Sequence, residues 1–255
     1  MIGLLQAEWL KIKYRNFFWI IFSLGIAINV YSTVMYLIAP EAYAELGINP
    51  WNSYLSNNLS YFSLLVFPLA TIFITAIVIN IEQKADSWKM LLTLPIPRWQ
   101  LVLTKLTIIF IVLVMIDLIF VSSIFILNIP IQLFHPEIEF YYFSPSVLTF
   151  ISENLSLMIS VMAIVSLQVF LCLSINNQII SISVGIVLWI LGFILSVVLP
   201  SYATLFPYAF PMLYKDFGIT EYITTSSIQN ISYKSILITL IMFPLNYYVF
   251  SNKNK

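Results

Sequence analysis

The sequence predicts an all-α integral membrane protein with six transmembrane helices, an N-terminal interfacial amphipathic helix, a short cytoplasmic helix and short outer helices before the last span. Of its 255 residues, 61% are hydrophobic and only 9% are charged, and the mean hydropathy is +0.97. A water-soluble domain needs about 25% charged residues to cover its surface, so lipid must be the solvent here. Six apolar segments reach the roughly 20 residues that cross a bilayer; they are 17–39, 60–81, 105–128, 150–173, 179–199 and 233–250.

The distribution of positive charge predicts which side of the membrane each end of the chain occupies. If the N-terminus is inside, nine of the eleven basic residues are cytoplasmic, and only Lys215 and Lys234 are outside. Because loops rich in Lys and Arg remain in the cytoplasm, both termini of this multi-pass chain are expected to be cytoplasmic. No Ser/Gly-rich linker divides the chain, so residues 1–255 are predicted to form a single transmembrane domain.

Residues 2–15 are predicted to form an amphipathic helix that lies along the inner surface of the membrane. At helical spacing, one face is apolar and consists of Ile2, Leu5, Trp9 and Ile12. A second face is polar and consists of Glu8, Lys11 and Arg15. Basic residues on such a helix face anionic headgroups. The alternative is a solvated extension of the first span.

The cytoplasmic loop between the second and third spans is predicted to contain a short helix at 84–94. One face of this helix is apolar and consists of Ala85, Trp88, Leu91 and Leu92. Pro95 and Pro97 end it, because proline cannot donate the backbone hydrogen bond that a continuing helix requires. A rigid, partly apolar helix on this side can dock a soluble partner. The alternative is that it lies on the lipid surface.

This loop, 82-EQKADSWKMLLTLPIPRWQLVLTK-105, resembles the same region in permease subunits of type-2 ABC exporters. The resemblance rests on the order glutamate, polar spacer, tryptophan, lysine, Leu-Leu-Thr-Leu-Pro-Ile, arginine, and a lysine that opens the next helix. It is strongest for the lantibiotic-immunity and bacitracin-resistance permeases of Gram-positive bacteria. The N-terminal 4-LLQAEWLKIKYRNFFWII-21 is similar to the opening of the same family, so the resemblance covers essentially the whole chain.

The resemblance implies that residues 84–94 are a coupling helix, which would sit in a groove of an ABC ATPase. The residues that it assigns to ATPase coupling are Glu82, Lys84, Trp88, Lys89, Leu91, Leu92 and Arg98. It also implies two copies of a separate ATPase, which would hold ATP and Mg, and a second permease, identical or related, in the cell membrane. Since the chain has no G-x-x-x-x-G-K-[ST] phosphate loop, we expect it to bind no cofactor and to be no enzyme by itself.

Asp117 is the one ionisable residue deep within a predicted span. An intramembrane carboxylate is costly, so it is expected to face the interior of the bundle with a partner or a function. A packing role would pair it with polar groups such as Ser122, Ser123, Asn29 or Gln168. A functional role would be contact with a cationic peptide or a proton site, in a transport path lined by Asp117, Asn29 and Gln168.

The outer segment 200–232 is apolar but contains three prolines near its start, which prevent it from spanning as one helix. Irregular backbone is not tolerated against lipid, so the segment must pack on protein or dip into the membrane and return. An aromatic lid over the exit of the transport path is one interpretation, and its residues would be Phe206, Tyr208, Phe210 and Tyr214. An interfacial aromatic belt is the ordinary alternative.

These observations favour an ABC exporter permease that moves amphipathic or antimicrobial peptides out of the membrane or cell. The alternatives are a permease for lipids, ions or drugs, and a non-transporting membrane sensor or assembly subunit. An intramembrane enzyme is disfavoured because the spans contain one aspartate and no histidine. Balanced charge disfavours a nucleic-acid partner, and the lone His135 and Cys172 give no metal site.

Overall fold

The computed structural model describes residues 2–13, 17–43, 49–84, 96–175, 177–214 and 225–252. Within these residues the secondary structure is helical throughout and contains no strand. The α-helices are α1 (Ile2–Lys13), α2 (Phe17–Ile38), α3 (Pro40–Tyr43), α4 (Pro50–Tyr61), α5 (Phe67–Lys84), α6 (Arg98–Phe134), α7 (Val147–Ser174), α8 (Gln178–Val198), α9 (Pro200–Ala203) and α10 (Thr225–Asn252). A π-helical turn at Phe62–Val66 joins α4 to α5, and 3₁₀ helices lie at Pro136–Ile138 and Pro207–Tyr214.

The predicted all-α membrane fold is confirmed. Five helical segments of the described chain are long and apolar enough to cross a membrane, and the apolar part of α2 is a shorter sixth candidate. Short helices precede the last span, as the prolines predict. We call the end of the bundle where α5 ends and α6 begins the inner end, and the end where α6 ends and α7 begins the outer end.

Two helices are longer than the apolar segments that predict them. α6 has 37 residues, which corresponds to about 55 Å and exceeds the roughly 30 Å of a bilayer core. The second span begins at Pro50 rather than near residue 60. Asn49 explains this early start, because its side chain accepts a hydrogen bond from the Trp51 amide at 3.0 Å. Pro50 follows at the first helical position, where its fixed φ is favourable.

The bundle has a central group of helices and a peripheral pair. α5 lies between α6, α7 and α8, while α2 packs along α6 and α10 packs along α7. The second span, α6 and α7 are each half or more buried, whereas α8 and α10 expose most of their apolar surface. These exposed faces therefore suit contact with lipid or with another membrane subunit.

Polar side chains fasten the peripheral helix α10 to α7. Ser235 Oγ donates to the Ile159 carbonyl at 2.6 Å and accepts from the Ala163 amide at 3.1 Å. Further along, Asn246 Nδ2 donates to the Ser166 carbonyl at 3.0 Å. Because lipid removes the hydrophobic drive for helix association, such hydrogen bonds and close packing hold membrane helices together.

A proline in the second span is compensated by a side chain of α8. Pro68 has no N–H, so the carbonyl of Leu64 loses the partner that an α-helix would give it. The indole Nε1 of Trp189 donates to that carbonyl at 3.0 Å. Leu64 lies within the π-helical turn, and its hydrogen bond with Trp189 fixes α8 against the second span.

Candidate functional site

The inner end of the bundle contains the two helices that flank, in sequence, the segment predicted to be the coupling helix. α5 ends at Lys84 and α6 begins at Arg98, so these two helices lead into and out of residues 85–95. Trp88, Lys89, Leu91 and Leu92 lie outside the described residues. The side chains of Glu82 and Lys84 also lie outside the described part of the chain, although their backbone belongs to α5. The predicted coupling helix therefore stays a prediction.

The helix α1 packs against the first turns of α6. Ile12 is buried and belongs to the same apolar core as Leu101 and Val102 of α6. Glu8 is only 8% exposed. One carboxylate oxygen of Glu8 accepts from Lys11 Nζ at 2.6 Å, and the other lies 3.6 Å from Lys105 Nζ. α1 is thus fixed to α6 by apolar packing and by an ion pair.

The predicted polar face of α1 groups Glu8 with Lys11, and the structure pairs these two residues at 2.6 Å. The structure adds a contact that the sequence did not predict, because the other carboxylate oxygen of Glu8 lies 3.6 Å from Lys105 Nζ of α6. The physical reason is Lys105, whose side chain is 4% exposed, because a buried ammonium group requires a negative partner. Arg15 lies outside the described residues. Helical spacing alone cannot reveal this pair, because its two members belong to different helices.

Arg98 connects the start of α6 to the end of α10. Its guanidinium Nη1 donates to the Ser251 carbonyl at 2.9 Å. The last carbonyls of a helix have no intrahelical partner and favour a positive charge. This residue was predicted to contact an ATPase, and the structure gives it a partner within the chain. Together, α1 and α10 brace the end of α6 that follows the coupling segment.

Asp117 is paired with a residue that the sequence did not single out as its partner. It is 8% exposed, and its Oδ2 accepts from Asn154 Nδ2 of α7 at 3.0 Å. The partners expected for a packing role were Ser122, Ser123, Asn29 and Gln168, and none of them hydrogen-bonds to Asp117 in the described structure. Asn154 is a polar residue within the predicted span 150–173, and this was the available signal.

The other two candidate path residues connect different helices. Asn29 Nδ2 donates to Ser123 Oγ at 2.5 Å and to the Phe120 carbonyl at 2.8 Å, which holds α2 against α6. Gln168 Oε1 accepts from Tyr208 OH at 2.8 Å, and its Nε2 donates to the Ser181 carbonyl at 3.0 Å. The hydrogen bonds of Asn29 and Gln168 thus fix separate helix contacts rather than a shared site with Asp117.

Two residues of the predicted aromatic lid, Tyr208 and Phe210, are buried within the bundle, with exposed fractions of 1% and 0%. A Cβ atom at Gly192 of α8 would lie 2.8 Å from the Tyr208 carbonyl carbon, so glycine permits this close approach. Gly192 is six residues from the end of α8, about 9 Å along the helix. Phe206 is partly buried, and the side chain of Tyr214 lies outside the described residues.

The outer end carries polar and acidic groups. A cavity of about 410 Å³ opens between α4 and α7, and its lining includes Asn52, Ser56, Ser146, Thr149 and Glu153. His135 directly follows α6, and its Nδ1 lies 2.7 Å from Glu137 Oε1. This hydrogen bond raises the pKa of His135. The pKa of Glu137 is lowered, first by a hydrogen bond from its own backbone amide and second by the hydrogen bond with His135.

The described residues contain no group of three or more His, Cys, Asp or Glu side chains that could hold a metal ion. Comparison with protein families gives a match to the ABC-2 family transporter protein over residues 4–192. The matched range is about three-quarters of the chain and extends from α1 into α8, including the inner end described above. No curated protein matches the chain.

Proposed function

Because the chain belongs to the ABC-2 family of transporter membrane proteins, and is therefore the permease of an ABC transporter, we propose that it exports amphipathic, membrane-active peptides. The family implies an ABC ATPase as a partner. We infer that two ATPase copies bind a pair of permeases, identical or related, in the cell membrane, with the termini of this chain in the cytoplasm. The excess of basic residues on the inner segments supports that orientation.

The proposed route of coupling starts at residues 84–94. ATPase movement would be passed to the start of α6, which follows this segment directly. α6 is a single 37-residue helix, so a tilt at its inner end would move residues at its outer end. The Glu8–Lys105 ion pair and the Arg98–Ser251 hydrogen bond support this proposal, because they make α1 and α10 move together with α6.

The proposed substrate class is supported by the chemistry of the outer end. Its cavity presents Glu153 together with amide and hydroxyl groups, and Leu55 and Phe150 add apolar surface. A peptide with both cationic and apolar side chains matches this combination. The resemblance of the loop at 82–105 to lantibiotic-immunity permeases favours the same class. Export of lipids, ions or drugs is the alternative.

The direct test is peptide-stimulated ATP hydrolysis by the permease reconstituted in liposomes with its ATPase. We expect stimulation by a cationic amphipathic peptide and little stimulation by the same peptide with its lysines acetylated. Glu153→Gln should reduce the response to the cationic peptide and leave basal hydrolysis unchanged. Equal stimulation by both peptides would overturn the requirement for cationic side chains, and stimulation by lipids but by neither peptide would overturn the peptide assignment.

A further inference from the structure

A second cavity at the outer end has a different lining. It has a volume of about 380 Å³ and lies where the chain leaving α9 meets the first turns of α10. Its polar lining consists of Thr204, Asn230, Tyr233 and Lys234. Its apolar lining includes Leu205 and Leu237. The size falls within the range of ordinary ligand pockets, which is about 300–1,000 Å³.

Lys234 supplies a positive charge that meets neutral oxygens in this cavity. Its Nζ donates to the Thr204 carbonyl at 2.9 Å and lies 3.3 Å from Thr204 Oγ1. An ammonium group has three N–H donors. The ion pairs formed among the described residues include none to Lys234. A charged group within a span is costly unless it is neutralised, so an anion from outside the described chain would be favourable here.

The cavity opens to the surface that faces lipid. Leu205, Tyr233 and Leu237 are 69%, 70% and 56% exposed. Lys234 lies in the first half of α10, the half that leads in from the outer end. Asn230, Tyr233 and Lys234 therefore lie towards the outer end of α10, and Leu237 lies about one turn further along the helix.

We propose that this cavity binds an anionic phospholipid of the outer leaflet, with its phosphate on Lys234 and an acyl chain along Leu205 and Leu237. The phosphate group supplies the missing negative charge and accepts hydrogen bonds from the surrounding donors. The leucine side chains supply apolar contact for the acyl chain. The site goes beyond the proposed transport function, because it lies away from the acidic cavity and needs neither ATP nor a peptide.

The test measures which lipid remains bound to the purified full-length chain in detergent, by native mass spectrometry. The probes are phosphatidylglycerol, diacylglycerol with the same acyl chains, and inorganic phosphate as a competitor. We expect retained phosphatidylglycerol to fall about tenfold in Lys234→Gln, since a hydrogen bond to a charged group is lost. Lys234→Arg should retain the lipid, and Lys11→Gln serves as a lysine control at the inner end.

Three outcomes would overturn the proposal. Equal retention of phosphatidylglycerol in Lys234→Gln and the parent chain would show that Lys234 does not hold it. Equal retention of diacylglycerol would show that the phosphate is not recognised. Full displacement of the lipid by inorganic phosphate would identify a site for the free ion instead. If Lys234→Gln fails to fold, the diacylglycerol and phosphate measurements on the parent chain still decide the matter.

Discussion

The two ends of the molecule each contain a lysine within or beside a span, and the two are neutralised differently. At the inner end, Lys105 is almost fully buried and lies 3.6 Å from the carboxylate of Glu8. At the outer end, Lys234 donates to the carbonyl of Thr204 and lines a cavity. The first lysine is part of the framework that positions α1 on α6. The second presents its charge to the surroundings of the protein.

The comparison separates a charge that holds two helices together from a charge that can bind a group outside the chain. An ion pair within the chain fixes two elements, and the loss of one member is severe because the other remains buried without its counter-charge. A charge that faces neutral oxygens contributes less to the fold and more to recognition of an external anion. The remaining buried polar residues belong to the structural class when their partners are helix carbonyls, as for Asn246.

The largest effect should follow from breaking the inner ion pair. Glu8→Gln leaves Lys105 buried without the carboxylate, and the expected loss is about 3 kcal/mol of unfolding free energy. Thermal unfolding of the detergent-solubilised chain measures it. Lys11→Gln is the matched control, because its partly exposed pair with Glu8 contributes at most about 1 kcal/mol. Equal, small shifts in both variants would show that the Glu8–Lys105 pair is unimportant for the fold.

A smaller effect is expected at the centre of the membrane. Asp117→Asn retains the hydrogen bond from Asn154 if the new amide presents its oxygen, and it removes the cost of a buried charge. We therefore expect a change in stability of less than about 1 kcal/mol, with transport preserved. Asp117→Leu is the contrasting variant, because it leaves the Asn154 amide without its acceptor. Normal assembly with a loss of peptide handling of more than about tenfold in Asp117→Asn, worth 1.4 kcal/mol, would instead indicate a charge-dependent contact with substrate.

The smallest effect concerns the exposed pair at the outer end. The hydrogen bond with Glu137 raises the pKa of His135. Its contribution to the stability of the fold is therefore present at low pH and is lost as the pH rises through the raised pKa. Since the pKa of Glu137 is lowered, the ion pair persists between the two values. Glu137→Gln should bring the pKa of His135 back towards its usual 6.5 or so. As His135 is the single histidine, its ring resonance in an NMR titration reports this directly; an unchanged midpoint would disprove the pair.

Hydropathy and proline positions were enough to predict the all-α membrane fold and the short helices before the last span, because lipid imposes length and hydrogen bonding on any spanning segment. The extension of the second span to Pro50 was missed, since residues 50–61 contain Asn and Ser and do not read as apolar. Tertiary packing buries several of them, including Asn58.

The partners of buried polar residues were harder to predict than the helices. Asp117 was recognised as a buried site from its position in a span, but its bond to Asn154 depends on the relative depth of α6 and α7. Glu8 was grouped with Lys11, with which it pairs, but its contact with Lys105 was missed because Lys105 is distant in sequence. The ATPase-coupling residues from Glu82 to Leu92 remain predictions that rest on the resemblance of the loop.

The most direct test of the central claim is recovery of the ATPase with tagged permease after detergent purification. Trp88→Ala should reduce recovery more than about tenfold, because an aromatic anchor at an interface contributes roughly 2–4 kcal/mol. Trp19→Ala is the matched control, since Trp19 is a 75% exposed tryptophan of α2 outside the coupling segment and should leave recovery unchanged. Full recovery of the ATPase with Trp88→Ala and with Leu91→Asp would contradict docking at residues 84–94.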